Sequence, residues 1–113
     1  MIRRGEIWWA SLPDAAGSGP GFRRPVLVVQ ANSFNDSAIR TVICAVVTAN
    51  LHLANAPGNL RLGGRASGLR KESVVNVSQL VTLDKRFLTE RVASLAPASL
   101  RSVDAGLRLA LAL

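Results

Sequence analysis

Pro25-Val26-Leu27-Val28-Val29-Gln30-Ala31 is apolar at nearly every position, and Asn32 to Ser37 (NSFNDS) follows it with turn chemistry. Thr41 to Thr48 (TVICAVVT) then repeats the dense, β-branched pattern. Short apolar runs bounded by turn residues read as strands, and an unbroken run reads as a strand buried on both faces. These two segments set the class as β-rich, and the rest of the chain is read outward from them.

Toward the N-terminus, Pro13 to Gly21 (PDAAGSGPG) holds two Pro and three Gly in nine residues, a loop longer than a hairpin turn. Before it, Gly5 to Ser11 (GEIWWAS) reads as a first strand. Toward the C-terminus, Asn50 to Gly58 is irregular, Asn59 to Leu62 is a short strand and Gly63 to Gly68 (GGRASG) a second glycine-rich loop. Ser73 to Gln79 (SVVNVSQ) is a strand that continues to about Leu83. Asp84 caps a helical turn reaching Thr89, and Arg91 to Leu95 is the last strand. From Pro97, suited to a first helical position, Leu100, Val103, Leu107 and Leu111 fall on one helical face. Gly106 inside that helix costs about 1 kcal/mol relative to Ala. The expected architecture is α+β and mostly β: one domain over residues 1–113, a small curved barrel with a single C-terminal helix.

The 113 residues are 49% hydrophobic, enough for a core. A chain of this size buries only about two-thirds of its unfolded surface, so a site belongs in a groove, a loop or a subunit interface. Fourteen Lys and Arg against seven Asp and Glu leave a net charge of +7, which favours a polyanionic partner. No run approaches the ~20 apolar residues that span a bilayer, and acids and Pro come too early for a signal peptide. A single cysteine, Cys44, permits no internal disulfide and fits a reducing cytoplasm. With one His and one Cys, the usual zinc and iron ligand sets are missing. No GxGxxG, GxxxxGK[ST] or GxSxG motif occurs. No cofactor is expected, and any catalysis falls to Arg, Thr, Ser, Asn, Gln and one carboxylate at most.

Arg4-Gly5-Glu6-Ile7-Trp8, the Gly/Pro loop running into Arg23-Arg24-Pro25-Val26-Leu27-Val28-Val29, Ala45-Val46-Val47-Thr48 and Val81-Thr82-Leu83-Asp84-Lys85-Arg86 occur in this order. In these pieces, and in the amphipathic terminal helix, the chain resembles the MazF/PemK family of toxin ribonucleases from bacterial toxin–antitoxin pairs. The resemblance covers nearly the whole chain. It implies an SH3-like barrel that forms a homodimer. It implies sequence-specific, metal-independent cleavage of single-stranded RNA, in which the ribose 2′-OH attacks the adjacent phosphorus and leaves a 2′,3′-cyclic phosphate and a 5′-OH. It further implies a toxin that halts translation and growth, and an antitoxin whose acidic, disordered segment occupies the RNA groove.

Such a transesterification needs a proton acceptor, a stabiliser of phosphate charge and a proton donor for the leaving oxygen. Arg24 fits the second role, because a guanidinium matches two phosphate oxygens and stays charged. The resemblance assigns Thr48 a catalytic place beside it, where a hydroxyl can bond a non-bridging oxygen. Arg23 and Phe22 suit phosphate contact and base stacking. Asn76, Ser78 and Gln79 suit base reading, and Gln30 is a further candidate for the groove. The chain departs from the family pattern at the base. Ser78 stands where many members carry a carboxylate, and Asn76 where some carry an arginine. Arg24 then bears most of the catalysis, unless Glu6 approaches from the first strand. His52 is a candidate acid, Cys44 reads as core, and Arg61, Arg65, Arg70 and Lys71 form either a phosphate track or a solvated face. Leu107, Leu109, Leu111 and Leu113 exceed what one stripe of a small domain needs, which fits burial in a twofold interface. Two other readings predict different behaviour: an inactive nucleic-acid-binding barrel, and an SH3-like protein-interaction module.

Overall fold

The computed structural model describes residues 1–12 and 22–113. The described residues form a curled antiparallel sheet in the order β4-β5-β3-β2-β1-β6. The strands are β1 (Glu6–Leu12), β2 (Phe22–Val28), β3 (Thr41–Thr48), β4 (Leu60–Leu62), β5 (Ser73–Asp84) and β6 (Leu88–Ser94). Three helices accompany them: the single turns α1 (Asn32–Asn35) and α2 (Gly64–Ser67), and the long α3 (Pro97–Leu111). The expected strands all appear, and so does the C-terminal helix. The expected glycine- and proline-rich loop, Pro13 to Gly21, lies outside the described residues.

Pleating sorts the side chains into two cores, because neighbours along a strand point to opposite faces. Ile7, Leu27, Ala45, Val47 and Val75 share one buried cluster with Val103 and Leu107 of α3. Ala10, Val26, Val28, Val42 and Cys44 share the other with Leu83 and Leu88. This explains why the central strands are apolar without alternation: both faces are covered. Cys44 belongs to the second cluster, and burial pushes its thiol from 9.0 up to about 12.

Three details refine the sequence reading. β2 starts at Phe22 rather than Pro25, which puts Arg23 and Arg24 on the strand itself. Pro25 is tolerated because the ladder to β3 begins only at Val26, leaving one side of the strand unpaired there. β5 is not regular. Its pairing with β3 jumps from Ala45–Leu80 to Val46–Asn76, so Val77, Ser78 and Gln79 bulge out of the ladder. Finally, Gly106 is not merely a weak helix former. It lies against the backbone of Gly58, which has φ +82°, and a Cβ on Gly106 would run into the Gly58 carbonyl.

An ion pair ties α3 to the segment just before β1. Arg4 donates to the Val29 carbonyl at 2.8 Å and to Asp104 of α3 at 2.7 Å. Asp84 accepts from the Arg86 N–H at 3.0 Å, capping the one-turn 3-10 helix Lys85–Phe87 as the sequence predicts, but the turn stops short of Thr89 because β6 begins at Leu88. Among the described residues, no helix is long and apolar enough to cross a membrane.

Candidate active site

The last β2–β3 pair is Val26 with Val46. Two residues further along each strand stand Arg24 and Thr48, so the register sets them opposite one another on the face of Val26 and Val46. Both line a groove of about 660 Å³ at this end of the sheet. The apolar floor comes from Trp9, Pro25, Val47, Leu69 and Val92. Arg23, Arg70, Lys71 and Arg91 join Arg24 along its walls, against one carboxylate, Glu90. Small, flat apolar surface ringed by cations is the arrangement that suits a base and its phosphates.

Each functional side chain is held by its neighbours. The Arg23 guanidinium lies 5.1 Å from the Trp9 ring centroid and 3.8 Å from Glu90. The Arg24 guanidinium lies 5.7 Å from the Phe22 ring, two residues back on the same face. Among the described residues Arg24 forms no ion pair, which leaves its charge for a ligand. The Thr48 hydroxyl oxygen accepts from the Asn50 N–H at 3.2 Å. That bond uses a lone pair and orients the hydroxyl, whose own proton remains available to a phosphate oxygen.

The polar side chains of the β5 bulge form a second group. Asn76 pairs with Val46 and therefore lies on the same face as Arg24 and Thr48, one pleat step away. Ser78 donates to Asn76 Oδ1 at 3.0 Å, and Asn76 Nδ2 to Gln79 Oε1 at 3.4 Å. Asn59, which the sequence reading does not single out, braces this group. Its Oδ1 accepts from the Val77 N–H at 2.9 Å, and its Nδ2 donates to the Leu53 carbonyl at 2.8 Å and to Asn76 at 3.3 Å. Only the three-residue bulge makes Asn59 important, and no local sequence signal marks a bulge of that size.

Three candidates part from the site. Gln30 is corrected: it lies at the opposite end of the sheet, buried, with its amide donating to Asn35 Oδ1 at 2.9 Å and the Thr41 carbonyl at 3.1 Å. A buried amide spends its donors on the protein, so it has none for RNA. Glu6 is likewise engaged. It is buried and accepts from the Arg3 N–H at 2.7 Å, Trp8 Nε1 at 3.1 Å and Arg91 at 3.2 Å. His52 is exposed on the 3-10 turn Leu51–Asn55 and does not line the groove. The β6 contribution of Glu90, Arg91 and Val92 has no local sequence signal, because it depends on β6 pairing with β1 at the far edge of the sheet.

At that opposite end lies a second groove, of about 510 Å³ and very different lining. Val29, Phe34, Ile43, Leu80, Leu107, Leu111 and Leu113 surround it, with Gln30 and the Arg4–Asp104 pair among its polar residues. Phe34, Leu111 and Leu113 are 56%, 50% and 84% exposed.

The described residues thus form a curled β-sheet with one long helix and a cationic groove at its strand ends. Residues 3–111 match the model of the PemK-like, MazF-like toxins of type II toxin–antitoxin systems. Endoribonuclease MazF6 of Mycobacterium tuberculosis strain H37Rv is 47% identical over 108 residues, 96% of this chain and 95% of the relative. Endoribonuclease EndoA of Bacillus subtilis is 33% identical over 113 residues, covering 100% and 97%. A MazE–MazF crystal structure from Deinococcus radiodurans shares the fold with a TM-score of 0.80 at 23% identity, covering 99% of this chain and 96% of that one. A mycobacterial endoribonuclease solved with its cognate antitoxin shares it with a TM-score of 0.78, also at 23% identity, covering 100% and 97%. The chain belongs to the PemK-like, MazF-like toxin family, and its class is that of the endoribonuclease toxins.

Proposed function

We propose that this protein cuts single-stranded RNA at a short sequence without a metal ion, and that it does so at the Arg24–Thr48 end of the sheet. The observation that carries the reading is the cross-strand juxtaposition of Arg24 and Thr48 in a groove with five cationic residues and one carboxylate. In the proposed reaction the 2′-oxygen bonds to phosphorus and the bond to the 5′-oxygen breaks. The products are a 2′,3′-cyclic phosphate and a 5′-OH. Arg24 holds two non-bridging oxygens as charge grows on them, and the Thr48 hydroxyl donates to one of these. The attacking proton passes to water or to substrate oxygens, because Ser78 is an unactivated hydroxyl bonded to Asn76, and water returns a proton to the leaving 5′-oxygen. Phe22 and Arg23 meet base and phosphate, and the exposed Ser78 and Gln79 reach the bases from the bulge, oriented by the buried Asn76.

The apolar groove at the other end is the proposed homodimer surface, since a second copy would cover Phe34, Ile43, Leu111 and Leu113 together. An antitoxin with an acidic, disordered segment would compete with RNA for the cationic groove, and release from it would stop translation and growth in the cytoplasm. Among the described residues no three His, Cys, Asp or Glu come together as metal ligands. The test is incubation with a long single-stranded RNA in excess EDTA, followed by primer extension, for the wild type and Arg24→Ala. Discrete cuts that vanish in the variant are expected. Intact RNA from folded, antitoxin-free protein would favour the inactive binding module instead.

A further inference from the structure

Arg24 and Thr48 belong to a row that crosses the sheet. Thr48 pairs with Val74 of β5, and Val74 pairs with Arg61 of β4. Directly paired residues share a face, so Arg61 ends the row on the face that carries Arg24. Three strand spacings separate the two arginines, about 14 Å along the sheet and within reach of a few nucleotides of single strand. Arg61 is half exposed, and its guanidinium lies 2.7 Å from Glu72, which is equally exposed. Arg61 lies in neither buried cluster, and the cleavage step does not use it.

We propose that Arg61 is a further phosphate contact for the RNA strand as it leaves the cleavage site, and that Glu72 occupies it until RNA arrives. The proposal rests on the reading that RNA lies along the Arg24–Thr48 end. A half-exposed pair in water contributes little to stability, so parting Arg61 from Glu72 costs little. A phosphate offers the same bidentate geometry and also releases condensed counterions on binding. Glu72 therefore acts as an internal competitor, keeping the row from presenting all its charge to polyanions that do not engage Arg24.

The consequence is a pair of opposite signs. A clip that merely stiffens β4 against β5 would be lost equally from either side. A latched phosphate contact weakens when the arginine goes and strengthens when the carboxylate goes. The experiment measures fluorescence anisotropy of a labelled target RNA carrying a 2′-deoxy nucleotide at the cut position, across a salt series, beside kcat and KM for the cleavable strand. Arg61→Ala is expected to raise Kd about three- to tenfold at low salt and to lower the salt slope by about 0.7, with kcat unchanged. Arg61→Lys should recover part of that loss. Glu72→Gln should lower Kd. Arg86→Ala, at the far end of β5, should change neither Kd nor slope. Loss of affinity in both Arg61→Ala and Glu72→Gln, or an unchanged Kd and slope in Arg61→Ala, would overturn the proposal. A wild type that neither binds nor cuts RNA, or cutting indifferent to Arg24→Ala, would instead sink the reading beneath it.

Discussion

Two grooves of similar size, about 660 and 510 Å³, open at opposite ends of the same sheet, and almost nothing about their chemistry is shared. One is walled by Arg23, Arg24, Arg70, Lys71 and Arg91 over an apolar floor. The other is lined by Phe34, Ile43, Leu107, Leu111 and Leu113. The strands that connect them are the same: β2 runs from Arg24 at one end to Val28 and the following Val29 at the other, and β3 from Ile43 to Thr48. The difference teaches how a chain too small for a deep cavity makes two surfaces. The buried middle of each strand is fixed by packing, so only strand ends and the segments beyond them are free to carry charge or exposed apolar area. The strand ends are therefore where a site can form.

The largest effect separates the ends outright. Arg24→Ala should lower cleavage by at least about 10²-fold, as expected when a charge-stabilising donor is removed, and should leave the sedimentation coefficient unchanged. An equal loss of both properties would mean the grooves are not independent. Leu111→Asp should do the reverse and weaken self-association by about 2–3 kcal/mol, because it places a charge in the proposed dimer surface. Analytical ultracentrifugation over a dilution series would read the shift toward monomer, while single-turnover cleavage at high protein concentration should persist.

The Gly58–Gly106 contact sharpens the comparison, because neither glycine lines either groove. Gly106→Ala gains helix propensity yet drives a methyl group into the Gly58 carbonyl. The steric term should win, destabilising the fold by about 1–3 kcal/mol in urea unfolding, where an isolated helix would be stabilised by about 1 kcal/mol. The effect that is smallest at neutral pH concerns the core, where Cys44 is buried. Cys44 titrates near 12 when folded and from 9.0 when free. The folded value is the raised one, so the thiol's contribution is complete below about pH 9 and is lost as pH rises toward 12. Urea midpoints should fall across that window in the wild type and less in Cys44→Ala. A thiol reagent at pH 8 should not react until the chain unfolds.

The two central strands were legible because their apolar density is local, and β3 appears over the predicted Thr41–Thr48. The helix was legible for the same reason, from Pro97 and the spacing of Leu100, Val103 and Leu107. Arg24 and Thr48 needed the resemblance to be chosen, since an arginine before a strand and a threonine at a strand end are common. Their meeting is a matter of register, which no single strand encodes. Gln30 misled because alternation alone leaves its side open, and the buried Asn35–Thr41 partners that claim its amide are visible only in three dimensions. The β5 bulge and its Asn59 brace were hidden for a related reason. A bulge is a mismatch between two strands, so reading either alone shows nothing.

The central claim is that the RNA's own 2′-OH is the nucleophile at the Arg24–Thr48 end. The most direct measurement is single-turnover cleavage of a target RNA in EDTA, compared with the same strand carrying one 2′-deoxy nucleotide at the cut position. The account predicts cutting of the all-ribose strand to a 2′,3′-cyclic phosphate and a 5′-OH, and no cutting of the deoxy strand although it still binds. Cleavage of the deoxy strand at the same bond would contradict it, because the attacking oxygen would then have to come from elsewhere.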